Sequence, residues 1–253
     1  MCRMTCRNSI GVMLQWRGMG LKEKVLIVQH SSSTVAGTLL DWLKIKKIDY
    51  QLFRADHETN WPSVNDFTWL IVLGGAMNVD EEHLHPWLAS EKKLINEAIQ
   101  KGRKILGLCL GAQLIAEVLG AQVHRHEHWE VGWHSVKIEN SHALLNFSSA
   151  ELKAFQWHGY RFHLPEGAVR IATNSACKDQ GFIYGDRVIG LQFHPESSCE
   201  WIVECATDTD DEPYPEGPYV QKAIDVLSEI TQQKALQNWF YQLLENMCEL
   251  TPT

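Results

Sequence analysis

Lys104-Ile-Leu-Gly-Leu-Cys109-Leu-Gly-Ala-Gln113 is an apolar run that ends in a cysteine framed by two glycines, where a helical pattern begins. A strand that turns straight into a helix forces its corner residue into a sparsely populated backbone conformation, and glycine neighbours relieve the crowding. The corner side chain then projects above the sheet, at the positive end of the next helix. There a thiol loses its proton more easily and a developing oxyanion finds backbone donors. The stretch predicts a buried strand, a strained Cys109, and a helix carrying Leu114, Ile115, Val118 and Leu119 that Gly120 stops.

Upstream, strand and helix signals alternate. Lys24 to Gln29 reads as a first strand, and Ser31 to Thr34 as a polar turn suited to capping a helix with Leu39, Leu40 and Leu43 on one side. Asp49 to Phe53 reads as the second strand. Trp69 to Leu73 is near-continuously apolar, as a strand covered on both faces requires. Pro86 fits the first position of a helix bearing Leu88, Leu94, Ile95, Ala98 and Ile99, with Gly102 to stop it. This order predicts an α/β fold, with a mainly parallel, flavodoxin-like central sheet and helices on both faces. Residues 121–192 read as short strands around turns, a small antiparallel extension ahead of a return strand, Arg187 to Phe193. From Val220 to Met247 a helical pattern with Leu236, Trp239, Phe240, Leu243 and Met247 predicts one or two helices packed on the sheet.

The return strand leads directly into His194-Pro195-Glu196. A cysteine nucleophile needs a base to take its proton, and the base needs a third group to fix its tautomer and steady its charge. Residues two apart in an extended segment point the same way, and the proline between them stiffens the link. His194 can thus serve as base and Glu196 as its orienting carboxylate.

Three motifs together resemble the class I glutamine amidotransferases: Leu73-Gly74-Gly75-Ala76-Met77, Gly107 to Gln113, and Gln192-Phe-His194-Pro-Glu196. The resemblance runs from about Lys24 to Ser198. Within the family it is strongest to stand-alone proteins similar to the glutaminase domain of GMP synthetase. These share the Gly74 to Leu88 segment, Glu130-Val-Gly-Trp133 and Trp157-His-Gly159. The resemblance implies the amidotransferase type of the fold, with Cys109 as nucleophile, His194 as general base and acid, and Glu196 as orienter. It also implies oxyanion donors at the N–H groups of Gly75 and Leu110, and glutamine contacts from Gln113, Gly159 and Tyr160. No cofactor and no metal are expected, since the family needs none for glutamine hydrolysis.

The 253 residues, 45% hydrophobic and 21% charged, suit a soluble globule with a full core. The expected division is a disordered extension over 1–22, an amidotransferase-like domain over 23–206, an acidic proline-rich loop over 207–218, and a helical segment over 219–253 packed on the same domain. The formal net charge of −8 argues against a nucleic-acid surface. No apolar run approaches the ~20 residues that span a bilayer. Seven cysteines at irregular spacing suggest neither a disulfide framework nor zinc knuckles, and point to the cytoplasm. His124, His126 and His128 alternate along a strand, but no further ligand is arranged to complete a zinc site. His158 is expected to be structural or part of a pocket wall.

The expected substrate is a small molecule, glutamine or another γ-glutamyl compound, and neither nucleic acid nor membrane is a partner. There is no Gly-x-x-x-x-Gly-Lys phosphate loop and no dinucleotide fingerprint, and the C-terminal 50 residues are too few for an ATP-pyrophosphatase domain. Ammonia therefore passes to a separate synthetase subunit, or the protein cleaves γ-glutamyl peptides or polyamines for their own sake. A non-catalytic binding module on the same fold is the alternative from another class, against which the full Cys, His and Glu set argues.

Overall fold

The computed structural model describes residues 23–139, 142–146, 150–207 and 215–250. The extension expected over 1–22 and most of the acidic loop, residues 208–214, lie outside the described residues. Among the described residues ten strands form one sheet. Its parallel half runs β2 (Asp49–Arg54), β1 (Lys24–Gln29), β3 (Trp69–Val72), β4 (Lys104–Leu108), β9 (Val188–Leu191). Beyond β9 the sheet turns antiparallel through β8 (Gly181–Tyr184), β7 (Ala168–Thr173) and β5 (Val123–Ile138). On β5 lie the antiparallel β6 (Glu151–Phe162) and the short parallel β10 (Tyr219–Val220).

Period-two alternation in the parallel strands feeds two separate cores. Val25, Ile27, Trp69, Ile71, Leu106 and Leu108 face one way. They pack with residues of α1 (Thr38–Lys46), α4 (Cys199–Thr207), α5 (Ala223–Ser228) and α6 (Gln232–Cys248). Leu26, Val28, Leu70, Val72 and Ile105 face the other way, against α2 (Trp87–Gln100) and α3 (Leu110–Val118). The doubly covered sheet is as expected, and the C-terminal pattern resolves into the two helices α5 and α6. Among the described residues no helix is long and apolar enough to cross a membrane.

Three local expectations need correction. The short strands expected over 121–192 include two long ones, β5 with 16 residues and β6 with 12. A register shift between Arg125 and Glu130 breaks the alternation of β5, so the sequence pattern fragments there while the strand runs on. The Ser31–Thr34 turn does not cap α1. The Ser31 hydroxyl instead lies within bonding distance of the Ser33 and Thr34 hydroxyls, at 2.9 Å each, and the cap position belongs to Gly37 at φ 48°. A Cβ on Gly37 would lie 2.1 Å from the Glu196 carbonyl oxygen, so only glycine lets α1 close on that segment. Pro86 precedes α2 as its cap rather than opening it.

Candidate active site

The elbow after β4 has the conformation the glycines imply. Cys109 sits at φ 51° and ψ −106°, one of two non-glycine residues with positive φ among those described. The framing glycines are needed for close approach. A Cβ on Gly111 would meet the Val72 carbonyl oxygen at 2.1 Å, and one on Gly107 would meet the Gly111 backbone at 2.5 Å. Any side chain at either position would push α3 off the strands that hold Cys109.

Register brings the rest together. Leu108 pairs with Leu191, and the Cys109 N–H donates to the Leu191 carbonyl at 2.8 Å, so β4 and β9 end side by side. His194 follows β9 and is anchored by its N–H to the Phe155 carbonyl at 2.9 Å. Its Nδ1 lies 2.8 Å from Glu196 Oε1, which leaves Nε2 for the Cys109 thiol, a neighbour near enough to act on the charge of the ring. The His194–Glu196 geometry arises from a turn and not from the extended segment expected. The Ser197 hydroxyl closes that turn by donating to the His194 carbonyl at 2.9 Å. The Glu196 carbonyl accepts from the N–H and hydroxyl of Thr38, at 2.8 and 3.2 Å, which pins the carboxylate segment to α1. Cys109, His194 and Glu196 are all buried, at 6%, 4% and 3% exposure.

Burial works against a charge on His194. The Glu196 carboxylate and then the Cys109 sulfur outweigh it and push the imidazole pKa up to about 10. The group therefore stabilises the fold in full below its unfolded pKa of about 6.5, and that contribution is lost as pH rises through about 10. Thermal midpoints measured from pH 6 to 10.5 should fall along this interval. In His194→Gln that component of the fall should be missing; parallel curves for the two proteins would refute the assignment.

Around this trio stand the other expected residues. Gly74 borders the Cys109–His194 pair directly, since a Cβ there would lie 2.9 Å from His194 Cε1 and 3.6 Å from Cys109 Cβ. Gly75 is in contact range of the Leu110 side chain. Gln113 Nε2 donates to the Tyr160 carbonyl at 3.1 Å and to Gln192 Oε1 at 3.3 Å, so Gln113 and Tyr160 meet. Gly159 packs under the Trp129 indole. His158, expected to be structural or part of a pocket wall, is buried 3.2 Å from Glu130 Oε2, and Glu130 also accepts from Asn174 and Gln180. Burial pushes the Glu130 carboxyl up, but His158 and Asn174 outweigh it and hold it below its usual range. The three alternating histidines do not converge on one point. His124 meets His163, His126 meets the Ala176 carbonyl, and His128 donates its backbone N–H to His126. Among the described residues no three His, Cys, Asp or Glu side chains are grouped to hold a metal.

Two further contacts reach the sulfur from residues given no role by the motifs that hold them. The Cys109 thiol donates to the Trp157 carbonyl at 3.9 Å, and Gln192 Nε2 donates to Sγ at 3.8 Å. Gln192 opens the His-Pro-Glu motif, but an amide two residues before a histidine carries no sign of which way it points.

Residues 31–201 match the family model for glutamine amidotransferase class-I. The chain is 30% identical to the glutamine amidotransferase-like protein YfeJ of Salmonella typhimurium over 71% of its length and 78% of that protein. It is 29% identical to a glutamine-hydrolyzing GMP synthase subunit of Thermoplasma acidophilum, over 62% and 76% of the two chains. The crystal structure of a glutamine amidotransferase from Methylobacillus flagellatus superimposes with a TM-score of 0.84 at 28% identity, covering 90% of this chain and 95% of that one.

Proposed function

This chain belongs to the class-I glutamine amidotransferase family, and from that premise we propose that it hydrolyses the γ-carboxamide of glutamine, or a related γ-glutamyl amide, through a thioester on Cys109. The observation that carries the reading is the His194 ring held between the Glu196 carboxylate and the Cys109 sulfur, at the adjacent ends of β4 and β9. His194 Nε2 takes the thiol proton, and the thiolate attacks the γ-carbonyl carbon. Charge then develops on the carbonyl oxygen. In the first turn of α3 the Gly111 N–H is committed to the Leu73 carbonyl and the Gln113 N–H to that of Cys109, so the Leu110 N–H is the donor suited to that oxygen. The Gly75 N–H serves as the second donor. The tetrahedral adduct collapses as His194 returns the proton to the leaving nitrogen, releasing ammonia or an amine. Water, deprotonated by His194, then cleaves the thioester to a γ-carboxylate and free thiol.

Gln113, Gly159 and Tyr160 hold the amino-acid end of the substrate in this reading, and the Gln113–Tyr160 contact supports their acting together. The five cysteines among the described residues are free thiols, consistent with a reducing, cytoplasmic setting for a thiol nucleophile. The Thermoplasma acidophilum relative is named as one subunit of its synthase, which favours passing ammonia to a separate synthetase subunit over γ-glutamyl catabolism. The test is steady-state release of ammonia from glutamine and of amine from γ-glutamyl dipeptides and polyamine conjugates. Turnover of glutamine supports the leading reading, and turnover of peptides alone shifts it to catabolism. No turnover, even with a candidate synthetase added, would overturn it in favour of a binding module.

A further inference from the structure

Another buried histidine–carboxylate pair lies behind the Gly74–Gly75 turn, and nothing in the proposed hydrolysis uses it. His30 follows β1, Glu91 lies on α2, and both are 0% exposed. His30 Nδ1 donates to the Gly74 carbonyl at 2.7 Å, and its Nε2 lies 2.9 Å from Glu91 Oε1. The ring also stacks on Trp87, with centroids 5.4 Å apart and planes 14° apart. The imidazole is thus fixed at both nitrogens and on one face. Isolating such a pair from water is costly, and two glycines could form a turn without it.

The Gly74 carbonyl and the Gly75 N–H belong to one peptide unit. The described chain contains no cis peptide bond, so these two groups point in opposite directions. A ring that grips the carbonyl from one side therefore aims the N–H to the other. A Cβ on Gly74 would abut the Cys109–His194 pair, while one on Gly75 would meet Leu110, whose N–H is the other proposed donor, as well as Met77 and His30. Glycine offers no side chain of its own to hold this plane, and flipping it would exchange an N–H donor for a carbonyl oxygen facing the developing charge.

We infer that His30, held by Glu91 and Trp87, is a positioning residue that locks the Gly74–Gly75 peptide with its N–H presented to the tetrahedral oxyanion. The role rests on the proposed amidase reading and adds a support that lies outside the reacting atoms. Its charge state fits: burial opposes the imidazolium, but Glu91 and the Gly74 carbonyl outweigh it and hold the His30 pKa above its usual value.

The test uses His30→Gln and, because a buried histidine can be needed for folding, the near-isosteric Glu91→Gln. For each, turnover is compared with two probes of Cys109. Iodoacetamide alkylates the sulfur by displacement at a saturated carbon, which develops no oxyanion, whereas glutamate γ-semialdehyde binds as a tetrahedral adduct that does. The expected result is a fall in kcat of about 10–10² with KM little changed, a matching loss of aldehyde affinity, and an alkylation rate within about twofold of wild type. Full turnover in either folded variant would overturn the role. So would alkylation falling in step with turnover, which marks general damage to the elbow. A wild type inactive on every γ-glutamyl amide would instead sink the amidase reading, a result separable from an active wild type with unaffected variants.

Discussion

Cys109→Ala should abolish acyl-enzyme formation and lower turnover by roughly 10⁶-fold, the scale on which loss of a nucleophile from a three-residue hydrolytic set acts. The loss should appear in kcat rather than KM, because the sulfur forms its bond only on the way to the tetrahedral adduct. Folding is expected to survive. Alanine keeps the Cβ that the φ of 51° already accommodates, and the thiol's long contacts to Trp157 and Gln192 are minor. Intact-protein mass spectrometry after mixing with substrate should show the γ-glutamyl adduct in wild type and none in the variant. Adding His194→Ala should cost little more, since a base without its nucleophile has no proton to take. A folded Cys109→Ala protein that retained wild-type turnover would move the nucleophile elsewhere.

The parallel half of the sheet was legible because a strand covered on both sides must be apolar at nearly every position. β3 and β4 are buried throughout, and each announces itself without reference to any other part of the chain. The elbow was legible for a related reason: only glycine fits at 107 and 111, so the steric demand is written in residue type. The antiparallel half was not. In β5 the register shift near residues 125–130 inverts the pattern midway, and which face is covered depends on β6, β7 and β10 at once.

The contacts around the sulfur were partly hidden for another reason. His194 and Glu196 are two residues apart, so their pairing can be anticipated from the motif, although the turn that makes it was not. His30 and Glu91 are 61 residues apart, and neither shows any local sign of the other. Gly37 is similar: it looks like an ordinary turn glycine until α1 is seen to close on the Glu196 carbonyl, 158 residues from Thr38 along the chain. Residues that touch the proposed chemistry are marked by motif, whereas those that hold them in place are marked only by the fold. The His194–Glu196 and His30–Glu91 pairs make the point, since one was read from sequence and the other required coordinates.

Glu196→Gln should lower kcat by roughly 10⁴-fold, the order seen when the orienting acid of such a set becomes an amide. The carboxylate can only accept, so it holds His194 with a proton on Nδ1 and leaves Nε2 to meet the thiol. A glutamine amide can present its NH₂ instead, which selects the opposite tautomer and turns an N–H toward Cys109 where a base is needed. The charge goes as well. Without its largest favourable partner, a fully buried imidazole is left to burial, which lowers its pKa. Two measurements separate these consequences from misfolding. The rate of Cys109 alkylation by iodoacetamide at a fixed pH should fall, because His194 no longer presents an acceptor nitrogen to the thiol. The loss of stability between about pH 6.5 and about pH 10 should shrink, because His194 no longer titrates at a raised value. Anchoring of the segment should persist, since Thr38 bonds to the Glu196 backbone carbonyl and not to its side chain. An unchanged alkylation rate in a folded Glu196→Gln protein would show that the carboxylate does not hold His194 in the state that accepts the thiol proton, and its role as the orienting acid would fail with it.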